Sequence, residues 1–194
     1  MVIRLETLRL EKEVKMVLEE LQIDNEEQQR LMGHVGGLLR NAKNIHKYEH
    51  SLRCGILGKD VALSTIDLHP NILVYGGILH DVGLVMGEKN HEMTGYYINR
   101  GEFDFSSLIT ANHRGFSSCV HDNRGLSRET IKCNNYYSLV VRAIDHFDEL
   151  THPMPEGASE PIIISGEQIK EELISKNETQ KYFINNLYKK GIFK

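Results

Sequence analysis

The chain has 194 residues, which fits one domain with a small extension, since a domain takes roughly 100–200 residues, and excludes a second full catalytic domain. Apolar residues at 40% and charged residues at 26% exclude wholesale disorder, and a net charge of -4 gives no electrostatic reason to expect nucleic acid as a permanent partner, a local basic patch aside. Three cysteines, Cys54, Cys119 and Cys133, without a C-x-x-C pair suit reduced thiols. No apolar run approaches the roughly 18 residues of a membrane span, and the acidic, periodic start lacks a signal-peptide core, so a cytoplasmic protein is expected.

In chain order, Leu5, Leu8, Leu10, Val14, Val17, Leu18 and Leu21 recur mostly at helical spacing and predict an amphipathic helix whose stripe serves the core or a homodimer contact. Asp24, with Glu27 three residues on, predicts a capping box and a second helix toward Ala42, weakened midway by Gly36-Gly37. A third helix over Lys47 to Leu63 puts His50, Cys54, Leu57 and Val61 on one face. Pro70 opens a short apolar helix that ends around His80-Asp81-Val82-Gly83, and Leu84 to Lys89 reads as a connection. His91 to Ile98 and Phe105 to Asn112 are short helices, Arg114 to Lys132 is a polar excursion, and Tyr136 to Leu150 is helical again. Ile162 to Ile164 reads as a strand at most. Ser165 with Gln168 then caps a helix through Leu173, and Asn177 with Gln180 begins the last one. The result is an all-α chain of about nine helices.

Ten histidines in a chain without tryptophan need an explanation. His50, His80, Asp81, His91, His113 and Asp145 all stand at the ends or on the inner faces of predicted helices. A His-Asp dipeptide alone carries little, because His121-Asp122 repeats it in a polar stretch. The surroundings of His80-Asp81 say more. Gly76 and Gly77 lie one turn back, on nearly the same face as His80, and leave room for another backbone to approach. An apolar helix ending in an imidazole and a carboxylate must satisfy both, which a divalent cation does, and Gly83 ends the helix so that the two side chains can converge.

His50, His80-Asp81, His91, His113 and Asp145, in that order, resemble the pattern H…HD…H…H…D of the HD superfamily of metal-dependent phosphohydrolases. His50-Ser51-Leu52-Arg53 is similar to that family's H-S-x-R, and Gly76-Gly77-Ile78-Leu79-His80-Asp81-Val82-Gly83 to its A-x-L-L-H-D-I-G. Val141 to Thr151 resembles the ending of the HD-GYP branch. That branch is departed from at Leu84 and at Asn112-His113-Arg114, and no G-Y-P follows. The compact spacing is more similar to the small stand-alone HD hydrolases, including those that cleave dinucleoside tetraphosphates.

The resemblance covers about residues 45–152 and implies a helical HD bundle there, with residues 1–44 packing on it and 153–194 as a helical extension. It implies that His50, His80, Asp81 and Asp145 hold a first ion and that His91 and His113 hold a second, with Asp81 bridging and His80-Asp81 at the catalytic centre. Iron or manganese suits such donors, with cobalt, zinc and magnesium as alternatives. Arg53, Lys89 and Arg114 are the candidates for gripping substrate phosphate. The implied activity is hydrolysis of a phosphate ester or anhydride of a small nucleotide by a metal-bound hydroxide. The rival expectations are a phosphodiesterase acting on a cyclic dinucleotide or nucleic acid, and a non-catalytic nucleotide-binding regulatory module. His34, His46, His69, His121, His146 and His152 read as solvated, capping or core-edge residues, His46 also as an outer neighbour of His50, and the cysteines as small buried hydrophobes.

Overall fold

The computed structural model describes residues 4–41, 43–113, 128–152 and 165–194. Among them are nine α-helices and no strand: α1 (Leu5–Glu20), α2 (Asn25–Leu39), α3 (Ile45–Leu63), α4 (Pro70–Leu79), α5 (His91–Asn99), α6 (Asp104–Asn112), α7 (Arg128–Thr151), α8 (Gly166–Lys176) and α9 (Lys181–Lys189). None of these is long and apolar enough to cross a membrane.

The architecture is built around the α3–α4 pair, which carries a core on each side. Leu52, Val74, Ile78 and Leu79 face Leu10, Val14, Leu18, Leu31, Val35 and Leu39 of α1 and α2. Cys54, Val61 and Leu73 instead join Ile109 of α6, Val141 and Ile144 of α7, and the C-terminal Leu173, Ile184, Leu187 and Phe193. The stripe on α1 is thus core at Leu10, Val14, Val17 and Leu18, while Leu5, Leu8 and Met16 are exposed.

Glycine lets α3 and α4 meet backbone to backbone. A Cβ on Gly77 would stand 2.6 Å from the Cys54 carbonyl oxygen, and one on Gly58 would stand 2.8 Å from that of Leu73. Gly76 instead meets the side chains of Val141 and Ile109. The closest approach is at Gly83, in the 3-10 helix Val82–Met86 that follows Asp81. A Cβ there would overlap the His91 carbonyl at 1.8 Å, so α5 can seat against the His-Asp turn only because residue 83 has no side chain.

Several boundaries differ from the sequence reading, each for a local reason. Asp24 caps α2 by accepting from the Glu27 amide at 2.9 Å. The Glu27 carboxylate does not reach back to complete a box; it takes the Arg30 guanidinium and the Tyr75 hydroxyl. The helix runs through Gly36-Gly37 and stops at Leu39, short of Ala42. Residues 84–86 are 3-10 helix rather than plain connection. Among the described residues α7 is already helical at Arg128, eight residues before the apolar pattern shows it, because residues 128–135 are mostly polar. Asn177 does not cap the last helix; it closes α8 by donating to the Leu173 carbonyl, and a 3-10 turn leads into α9. The Ser165–Gln168 box is present. The Ile162–Ile164 strand and most of the polar excursion, residues 114–127, lie outside the described residues.

Gly83→Ala is expected to destabilise the chain by about 3 kcal/mol or more, the upper range for overpacking, because backbone rather than a flexible side chain must move. Thermal unfolding by circular dichroism measures this, and an unchanged melting temperature contradicts the close seating of α5.

Candidate metal centre

Six side chains from five helices or helix ends meet at one buried point. His50 lies on α3, His80 and Asp81 close α4, His91 opens α5, His113 follows the last residue of α6, and Asp145 comes from α7. None is more than 7% exposed.

Each imidazole is oriented through its Nδ1. In His80, His91 and His113 this atom lies 2.8, 3.0 and 2.6 Å from the carbonyl oxygens of Gly77, Glu88 and Thr110. In His50 it lies 2.7 Å from Asp148 Oδ2. Carbonyls and carboxylates only accept, so Nδ1 carries the proton and Nε2 of each neutral ring turns a lone pair inward.

Those lone pairs converge on the two oxygens of Asp81. Oδ2 is 3.8 Å from His50 Nε2 and 3.6 Å from His80 Nε2. Oδ1 is 3.4 Å from His91 Nε2 and 3.6 Å from His113 Nε2. Asp145 Oδ1 joins the first group, 3.1 Å from His50 Nε2 and 3.5 Å from His80 Nε2. The Nε2 atoms of His50 and His80 are themselves 3.3 Å apart.

A buried acceptor facing another acceptor is unfavourable unless positive charge lies between them. Asp81 Oδ1 and His113 Nε2 are buried with no hydrogen-bond partner among the described residues. Burial works to raise the Asp81 carboxyl, but His80, His113, His91 and His50 around it hold it well below the usual carboxylate range. Burial likewise opposes a charged His50, yet the carboxylates of Asp145 and Asp148 bonded to it push that ring well above its ordinary value, and Asp81 and Asp145 raise His80. Without a metal the centre therefore draws protons in. Four imidazoles with shared carboxylates are the donor set of a divalent transition metal, and the residues fit one.

Asp148 and two buried polar residues complete the centre, and the sequence reading missed all three. Arg53 Nε donates to both Asp148 oxygens at 2.8 and 3.1 Å, and Nη2 adds a bond at 2.9 Å, so Asp148 is clamped while it holds His50. Its place three residues after Asp145 on the same helix was the available signal. Asn99 and Thr110 both donate to the Leu79 carbonyl, at 3.3 and 3.2 Å, and tie α5 and α6 to the end of α4.

The remaining expectations divide. Arg53 serves Asp148 rather than standing free, Lys89 is exposed in the turn before His91, and Arg114 lies outside the described residues. Cys54 is buried with Sγ 3.7 Å from His50 Nε2, close enough that His50, Cys54 and His80 each offer a ligand atom within 4.8 Å of the others. Burial pushes this thiol up to about 12, which keeps it a neutral packing group in the metal-free chain. Cys133, expected to be buried, is exposed on the polar start of α7. His46 is not an outer neighbour of the centre; it contacts Arg4.

A protein-family model described as HD domain matches residues 48–150, a span that contains all six converging residues and Asp148. Neither the curated proteins nor the solved structures give a match.

Asp81→Ala removes the carboxylate that faces both pairs of imidazoles and is expected to abolish manganese retention in equilibrium dialysis with elemental analysis; full retention by a folded variant contradicts its role. Asp148→Asn leaves the donor atoms in place but loosens His50, and metal affinity is expected to fall about 10- to 100-fold. Protons compete with the ion for Nε2, and His50 and His80 are raised. Affinity is therefore expected to weaken as pH falls, beginning above the ordinary histidine range; a titration flat from about pH 8 to 5 contradicts ligation by these rings.

Proposed function

The chain belongs to the HD-domain family, and we propose that it is a metal-dependent phosphohydrolase that cleaves a phosphate ester or anhydride of a small nucleotide. The sharing of Asp81 between two pairs of imidazole Nε2 atoms carries this reading. When bound, divalent ions at this place supply neutralisation of phosphoryl charge and activation of water. Manganese or iron is the expected occupant, because mixed nitrogen and carboxylate donors suit these ions better than they suit magnesium.

The protein's own part is to hold and orient. His50, His80, Asp81 and Asp145 form one donor group, and His91 and His113 form another across Asp81. The Nδ1 contacts to backbone carbonyls and to Asp148 fix each ring before any ligand arrives, so little reorganisation is left for the reaction. Support for a nucleotide as substrate comes from the compact spacing, similar to that of small stand-alone HD hydrolases, and from the absence of a strongly basic balance that would suit a long polyanion.

The test is a screen of nucleotides and bis-p-nitrophenyl phosphate against protein loaded with manganese, iron, cobalt, magnesium or zinc. Nucleotide hydrolysis with manganese or iron is expected. Turnover of the diester alone identifies a phosphodiesterase, and nucleotide binding without turnover a regulatory module. His113→Ala is expected to lower bound metal by one ion and the rate by about 100-fold or more, since an organised electrostatic contribution is lost. A variant that hydrolyses as well as the unaltered chain shows that a single ion suffices.

A further inference from the structure

A lysine whose side chain is mostly covered stands beside the centre with a poor partner. Lys47 lies on α3 three residues before His50, which puts the two on one face of the helix. Its side chain is 15% exposed, and its Nζ lies 3.8 Å from Glu88 Oε1, whose own side chain is 79% exposed. That separation is an ion pair but not a hydrogen bond. The Glu88 carbonyl oxygen accepts from His91 Nδ1, so Lys47 reaches from the His50 side of the centre to the His91 side. Glu88 and Lys89 sit between Gly87 at φ 116° and Asn90 at φ 58°, two left-handed residues that shape the turn carrying Glu88 across from α3.

The ammonium has three donors, and one exposed carboxylate at the limit of ion pairing supplies little. Arg53 is committed to Asp148 and Arg4 to Glu49, while Lys89 is exposed in the turn itself. An exposed carboxylate is rehydrated at little cost when it lets go. We propose that Lys47 grips a phosphoryl oxygen of the substrate and that Glu88 is the partner it exchanges for that oxygen. The proposal rests on the phosphohydrolase reading above. It assigns to Lys47 the role that the sequence suggested for Arg53, which instead positions Asp148.

The test is calorimetric binding of inorganic phosphate to manganese-loaded protein, with manganese content determined on the same samples. Lys47→Gln is expected to weaken phosphate about tenfold, as loss of one charge-assisted hydrogen bond does, while manganese content and the circular dichroism spectrum stay unchanged. Lys47→Arg is expected to restore most of the affinity and Glu88→Gln to strengthen it. With a hydrolysed substrate, Lys47→Gln raises KM more than it lowers kcat. Unchanged phosphate affinity in Lys47→Gln with full metal content overturns the role of Lys47 and leaves the phosphohydrolase reading standing. Loss of metal in that variant makes Lys47 a support of the centre and also overturns the proposal. If the unaltered, manganese-loaded chain binds no phosphate and hydrolyses none of the screened compounds, the phosphohydrolase reading itself falls.

Discussion

The buried carboxylate of Asp81 is the constraint around which the molecule is arranged. It sits 5% exposed, with the Nε2 atoms of two histidines against each oxygen. A carboxylate so placed is tolerable only with positive charge beside it, since an uncompensated buried ion costs several kcal/mol. Protonated imidazoles can balance it in the metal-free chain. Divalent metal held by these residues would balance it more completely, because it would also accept the lone pairs that the histidines turn inward. The same feature that makes the apo centre costly therefore makes it receptive to metal.

Delivering four rings to one carboxylate is a packing problem, and the solution uses absent side chains as much as present ones. Gly58 and Gly77 let α3 and α4 touch along their backbones, which brings His50 level with His80. Gly83 lets α5 lie against the turn after Asp81, which brings His91 to its far side. The carbonyl of Leu79, left over where α4 ends, accepts from Asn99 and Thr110, so the terminus that presents His80 also fixes α5 and α6. Thr110 then accepts from His113 through its own carbonyl. Rigid elements with short hydrogen bonds, rather than mobile loops, set the described geometry.

Much of this was legible in the sequence because helical periodicity and breakers act locally. Leu10, Val14 and Leu18 mark α1 by spacing alone, Pro70 marks the start of α4, and the Ser165–Gln168 pair marks α8. The order of His and Asp, with glycines around His80-Asp81, pointed to the six residues that converge. Long-range partners were not legible. Asp148 follows Asp145 by three residues, but its contacts with His50 and Arg53 each span more than ninety residues. Arg53 looked free for phosphate for the same reason, and Lys47 went unnoticed because its partner Glu88 lies in a turn some forty residues away. Boundaries failed where polar turns carry no period, as at the start of α7, or where a side chain had a better tertiary partner, as with Glu27 and Tyr75.

The central proposal is that Asp81 would be a ligand shared by two divalent ions, with His50, His80 and Asp145 on one side of it and His91 and His113 on the other. Electron paramagnetic resonance of the manganese-saturated protein tests it most directly, because two ions bridged by one carboxylate are magnetically coupled and give a spectrum unlike that of an isolated ion. The account predicts a coupled pair in the unaltered chain. An uncoupled spectrum from ions held by His50, His80 and Asp145 alone, at full metal saturation, would contradict it.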